Sequence, residues 1–122
     1  SDTLIINSTA PSVSGVTYST TTGVMTAITA GYYLVTAMAR FSATSWNIAE
    51  RGRLMLYRND AVYADLDDRL AWAGVNQVFM TRGTTILYLA ANDTIDVRAL
   101  QQAEVSLTLD GTCYFEAYRI GS

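Results

Sequence analysis

The segment YYLVTAMARF, Tyr32–Phe41, constrains the fold most strongly, because read as a strand it is apolar on both faces. Successive side chains of a strand point to opposite sides. Tyr33, Val35, Ala37, Ala39 and Phe41 therefore share one side, and Tyr32, Leu34, Thr36, Met38 and Arg40 share the other. A strand with one solvated face alternates apolar and polar residues, and this one does not. One side can pack into the domain's own core. The other needs a second cover.

The rest of the chain reads as strand as well. Gly, Asn and Asp punctuate it at Ser14-Gly15, Thr22-Gly23, Ala30-Gly31, Asn59-Asp60, Arg82-Gly83, Asn92-Asp93 and Asp110-Gly111. Between them lie runs rich in Val, Ile, Thr, Tyr and Phe, which predict strands at Thr3–Ile6, Val24–Ile28, Tyr32–Phe41, Arg53–Arg58, Val75–Thr81, Thr85–Ala90, Thr94–Ala99, Glu104–Leu109 and Thr112–Ile120. No segment holds a helical period for three turns; Ala61–Ala73 comes nearest. Pro11 falls between the first short strand and the rest, as a loop or edge residue. With 122 residues and no repeat or linker, the chain is one all-β domain, and the strand count suits a two-sheet jelly-roll sandwich.

Composition bears on the uncovered side. Half of the residues are apolar and only 16% are charged, which leaves little polar material for a whole surface. Some apolar surface is therefore expected to be covered by partner chains. A net charge of −3 with no basic cluster argues against a nucleic-acid footprint, and no apolar run reaches membrane-spanning length. All eight basic residues are arginines, which suit partly buried, bidentate ion pairs.

Catalytic chemistry finds few groups to work with. The chain has no histidine, its only cysteine is Cys113, and it has no phosphate-cradling glycine loop. Cys113 reads as a small buried hydrophobe, since no base is present to activate it. The chain is therefore expected not to be an enzyme. Asp65, Asp67 and Asp68 in ADLDDRL are adjacent acids, not two carboxylates across a cleft as a glycosidase requires. The cluster reads as a solvated acidic loop, with calcium, the metal that such acids suit, as the alternative; no other cofactor is expected. Trp46 and Trp72 fall in loops expected at 42–51 and 66–74, with Tyr63 nearby. Aromatic rings on loops can stack on sugars or fill a receptor pocket, so these three are the candidate ligand-binding residues. Asn7 and Asn92 begin N-x-T patterns, which carry weight only in a secreted protein.

Three blocks carry a family resemblance. YSTTTGVMTAITAGYYLV resembles the Tyr-x-x-x-Thr-Gly-x-Phe-x-x-Pro-x-x-Gly-x-Tyr segment of C1q/TNF-like jelly-roll domains. TTILYLAANDTIDV is similar to their Leu-x-Leu-x-x-Gly-Asp-x-Val-x-Val segment, and GTCYFEAYRI to their closing Thr-x-Phe-x-Gly-Tyr-Leu-Ile strand. The blocks occur in the family order and cover most of Tyr18–Ile120, with Met25, Ile28, Asn92 and Ala117 departing from the pattern.

The resemblance implies a homotrimer whose inner sheet faces a three-fold axis, with Tyr32–Phe41, Thr94–Ala99 and Thr112–Ile120 in that sheet. Parity then places Phe115, Ala117, Tyr33, Val35, Ile95 and Val97 in the core. On the opposite, subunit-facing side it leaves Tyr32, Leu34, Met38, Tyr114, Tyr118 and Ile120, together with Arg40, Asp96, Arg98 and Glu116. Tyrosine and methionine are favoured at interfaces. The expected role is the C-terminal head of a bacteriophage or bacterial surface fibre, extracellular or on a virion, that binds a cell-surface receptor or glycan. A trimerisation cap of a stalk, with no ligand of its own, is the alternative.

Overall fold

The computed structural model describes residues 2–5, 13–45, 51–70, 76–101 and 113–122. Within them the chain forms β1 (Asp2–Ile5), β2 (Val13–Ser14), β3 (Val16–Tyr18), β4 (Met25–Ala27), β5 (Gly31–Ser45), β6 (Arg51–Arg58), β7 (Ala61–Leu70), β8 (Asn76–Leu89), β9 (Thr94–Gln101) and β10 (Tyr114–Gly121). No helix occurs among the described residues. The first sheet has the order β3-β4-β9-β6-β7, with β1 also paired to β9; the second has the order β2-β10-β5-β8. Apart from the short parallel β2–β10 contact, all pairings are antiparallel.

The core lies between the two sheets. Tyr33, Val35, Ala37, Leu87, Leu89, Phe115 and Ala117 from the second sheet meet Met25, Ala27, Leu54, Leu56, Ile95, Val97 and Ala99 from the first. Phe115 and Ile95 are fully buried, and the Tyr18 ring meets Phe115 edge-on at 6.3 Å between centroids. Tyr33 is fully buried in this core, and its hydroxyl lies 2.8 Å from the Gly15 carbonyl and 2.6 Å from the Thr29 carbonyl. Burial pushes that phenol above its ordinary range, against the pull of Arg119 and of its bond to Thr29. The left-handed φ of +80° at Gly15 lets the backbone come that close, because a Cβ there would sit on the Tyr33 ring.

Three expectations from the sequence are corrected. β9 pairs in the first sheet, so Thr94–Ala99 does not share a sheet with Tyr32–Phe41 and Tyr114–Ile120. Parity tells which side of a strand faces the core, but both sheets face the same core, so parity cannot assign the sheet. Next, Arg82-Gly83 is no turn: β8 runs through it, opposite Met38 and Ala37 of β5. A Cβ on Gly83 would collide with the Leu66 backbone, so glycine there admits β7 against the edge of β8. Finally, Ala61–Leu70 is a strand, where Ala61–Ala73 came nearest to a helical period and a loop was expected from Leu66. Register shifts in its pairing with β6 leave Tyr63 and Leu66 as extra residues, and two such bulges erase the alternation by which a strand is recognised. Pro11 and Glu104–Leu109 lie outside the described residues.

Turn chemistry holds one end of the sandwich. Asn59 and Asp60 have φ of 50° and 65° between β6 and β7, as a two-residue hairpin turn of the I′ kind requires. Beside it, Asp93 gathers three donors: Ala90 N at 2.9 Å, the Arg58 guanidinium at 3.0 Å and the Asn59 amide at 3.1 Å. The backbone bond from Ala90 and the amide of Asn59, then Arg58, hold its carboxyl below the usual carboxylate range. A depressed folded-state pKa gives stability that is present above the unfolded value and lost as pH falls through the folded one. Asp93→Ala is therefore expected to cost roughly 1–3 kcal/mol at neutral pH and to flatten the acid limb of a stability-against-pH curve below about pH 4. Parallel acid limbs for the variant and the parent would rule out Asp93 as the source of that dependence.

Candidate functional site

The two sheets present outer faces of opposite character. On the first, charges pair in rows. Arg53 donates to Asp65 at 2.9 Å, Arg51 to Asp68 at 2.8 Å and Arg98 to Asp96 at 2.7 Å. Arg98 also reaches Asp60 at 2.6 Å and lies 3.8 Å from the centre of the Tyr57 ring. Asp96 is only 4% exposed, and a carboxylate that deep requires such a partner. Asp96 and then Asp60, in turn, hold the Arg98 guanidinium above its already high pKa. Charge pairs dominate this face, with Val62 and Leu70 exposed on its β7 edge.

The outer face of the second sheet does not. Register and parity set its side chains in rows across β10, β5 and β8. Tyr118, Leu34 and Ile86 form one row, Glu116, Thr36 and Thr84 the next, and Tyr114, Met38 and Arg82 a third. Tyr32 and Tyr88 lie beyond the first row, with rings edge to face at 5.4 Å, and Arg40 and Met80 lie beyond the third. Ile86 is 55% exposed, Tyr32 49%, Tyr88 45% and Met80 41%, so one face collects four of the large exposed hydrophobics. Ile120, at the β10 bulge, is exposed beside them. On this face Thr84 bonds to Thr36 at 3.1 Å, and the Tyr118 hydroxyl donates to Glu116 at 3.2 Å.

Of the residues expected on the subunit-facing side, this face brings together Tyr32, Leu34, Met38, Arg40, Tyr114, Glu116 and Tyr118, with Ile120 at its end. Asp96 and Arg98 stand elsewhere, on the ionic outer face of the first sheet, because β9 belongs there. Sequence reasoning missed Met80, Arg82, Ile86 and Tyr88. The signal was present in ILYL, Ile86–Leu89, which is apolar at both parities just as β5 is.

The acidic cluster is not a set of converging ligands. The Leu66 bulge sends Asp65 to Arg53, Asp68 to Arg51, and Asp67 to Arg69 at 2.9 Å and to the Arg82 backbone N–H at 3.0 Å. Among the described residues no group of three or more His, Cys, Asp or Glu side chains is placed to hold a metal ion. Asp67 instead satisfies a donor on the edge of β8 and ties the rims of the two sheets together. Tyr63 is an exposed bulge residue on β7, not part of a loop. Trp46 and Trp72 lie outside the described residues.

No family model matches the sequence, nor does any curated protein. Among solved structures, the chain is similar to the Eiger TNF from S. frugiperda, with 16% sequence identity and a TM-score of 0.51. The likeness covers 86% of this chain and 81% of that one. At that identity it speaks for the fold, a TNF-like jelly roll. No helix among the described residues is long and apolar enough to cross a membrane.

Proposed function

We propose that the chain is the trimeric recognition head of a bacteriophage or bacterial surface fibre, displayed outside the cell or on the virion, that binds a cell-surface receptor or glycan. The observation that carries the assembly is the contrast between the two outer faces. One is built of arginine–aspartate pairs, while the other exposes Tyr32, Met80, Ile86 and Tyr88 on a single continuous sheet. Monomeric proteins rarely leave such a patch to water. A second and third copy of the same chain supply the matching apolar surface, in the arrangement that the TNF-like fold of the structural neighbour suggests.

Recognition falls to what remains once the core and the subunit contacts have claimed both sides of the second sheet. Segments 46–50 and 71–75 follow β5 and β7 in the chain and contain Trp46 and Trp72. Three copies of one weak site on a rigid head raise avidity by roughly 10²–10⁴. The role is binding, not catalysis, and it requires no metal. Trp46→Ala and Trp72→Ala are expected to abolish binding to target cells or to a glycan array while leaving the oligomer intact. Normal binding by both variants would remove the recognition role and leave a trimerisation cap; release of reducing sugar from a bound polysaccharide would overturn the non-enzymatic reading.

A further inference from the structure

β8 is an edge strand, and what closes its outer side stops halfway along. It pairs with β5 in unbroken register from Gly31–Leu89 to Phe41–Phe79. Arg82 stands opposite Met38, and its N–H donates to the Asp67 carboxylate of β7 at 3.0 Å, so it points away from β5. Backbone direction alternates along an antiparallel strand, which turns the N–H and C=O of Thr84, Ile86 and Tyr88 outward as well. β7 caps this edge at Arg82 and, through the Leu66 backbone, at Gly83. Along Thr84–Tyr88, a length of roughly 17 Å, no strand pairs with that side among the described residues. No charged residue, proline or bulge guards the stretch, the devices by which edges are commonly closed.

These groups lie in the plane of the sheet, so a cover laid on its outer face does not pair with them. The edge strands of a second copy suit them poorly. β1, β2 and β3 span four, two and three residues, and the pairing of β7 is broken by two register shifts. β8 against another β8 is a two-fold contact, which does not close a ring of three. Strand addition by a different chain needs only a free backbone and suitable alternate side chains. Ile86 and Tyr88 offer apolar contacts on one side. Arg82 is exposed at the capped end, and none of the described acidic side chains forms an ion pair with it. We infer that the Thr84–Tyr88 edge takes up an extended segment of a partner protein, antiparallel to β8. The segment sets apolar residues opposite Tyr88 and Ile86 and an acidic one opposite Thr84, diagonal to Arg82 and within its reach. This contact goes beyond the proposed recognition by loops and does not depend on the trimer.

A labelled peptide, Thr-Val-Thr-Val-Thr-Asp, tests it by fluorescence anisotropy and by amide hydrogen exchange. At saturation it is expected to slow exchange at Thr84, Ile86 and Tyr88 at least roughly tenfold. The amides of Thr85 and Leu87 face β5 and stay slow with or without it. Methylating the backbone nitrogens of both valines keeps the side chains but removes the donors that face β8, and is expected to weaken binding at least roughly tenfold. Arg82→Glu is expected to weaken the peptide several-fold and to favour the same peptide ending in lysine. Unchanged exchange at the three amides overturns the inference, and so does equal binding of the methylated peptide. Amides already slow without peptide, in a protein of twice the expected mass, would assign the edge to a second copy and overturn it too. Binding by a monomeric parent refutes the trimer and keeps the edge contact; no binding by a trimeric parent refutes the edge contact alone.

Discussion

Light scattering at micromolar concentration is expected to return three times the chain mass of 13.3 kDa, and Tyr118→Asp is expected to return the mass of one chain. Tyr118 stands in the row with Leu34 and Ile86, pointing away from the core, so an aspartate there leaves the sandwich itself intact. In the proposed trimer the same carboxylate would be enclosed by apolar side chains of a neighbour. An unpaired charge in such a place costs roughly 3–5 kcal/mol, which lowers association roughly 100- to 4,000-fold at each contact. Ile86→Asp, on the neighbouring strand of the same row, is expected to act alike. A persistent monomer in the parent protein would refute the cover proposed for this face. A Tyr118→Asp variant that stays trimeric with unchanged melting would show that the copies meet elsewhere.

Phe115→Ala is expected to act on the subunit and not on the contact between subunits, although it is only three residues from Tyr118. Its ring is fully buried between the sheets and meets Tyr18 edge-on. Truncation removes the apolar transfer energy and leaves a cavity that a close-packed interior closes only in part, at a cost of roughly 3–5 kcal/mol. At roughly 4 °C per kcal/mol for a domain of this size, the melting temperature falls by about 12–20 °C. Melting of an oligomer depends on its concentration, so the comparison belongs on the monomeric Tyr118→Asp background. A loss below about 1 kcal/mol there would contradict the burial of Phe115 in the core, since large-to-small changes at closed sites cost more.

These two substitutions separate what local patterning determines from what assembly of the fold determines. The alternation of Tyr32–Phe41 and of Tyr114–Tyr118 was enough to place Tyr33, Val35, Phe115 and Ala117 inside and Tyr32, Leu34, Tyr114 and Tyr118 outside. That follows because a strand has a strict period of two and a residue can face only one of two sides. The turn at Asn59-Asp60 was legible for a similar reason, since few residues accept a left-handed backbone at both central positions. Even the doubly apolar character of β5, which raised the need for a cover, is a property of ten consecutive residues.

Tertiary structure decided the rest. Asp96 and Arg98 have the right parity for an outer face, but pairing of β9 with β6 and β4 puts them on the other sheet, where Asp60 and Tyr57 receive Arg98. Sheet membership is a matter of long-range hydrogen bonding, and no local period encodes it. Asp65, Asp67 and Asp68 read as a solvated loop, with one shared ion as the alternative, because they are close in sequence. In space, the Leu66 bulge turns them towards three different arginines and the edge of β8. Gly83 read as a turn because glycine so often makes one, whereas here its missing side chain leaves room for the Leu66 backbone of β7. A sequence carries each residue's own preferences; which distant strand arrives beside it depends on how two sheets close over one core, and that arrival decides whether a glycine bends the chain or receives another strand.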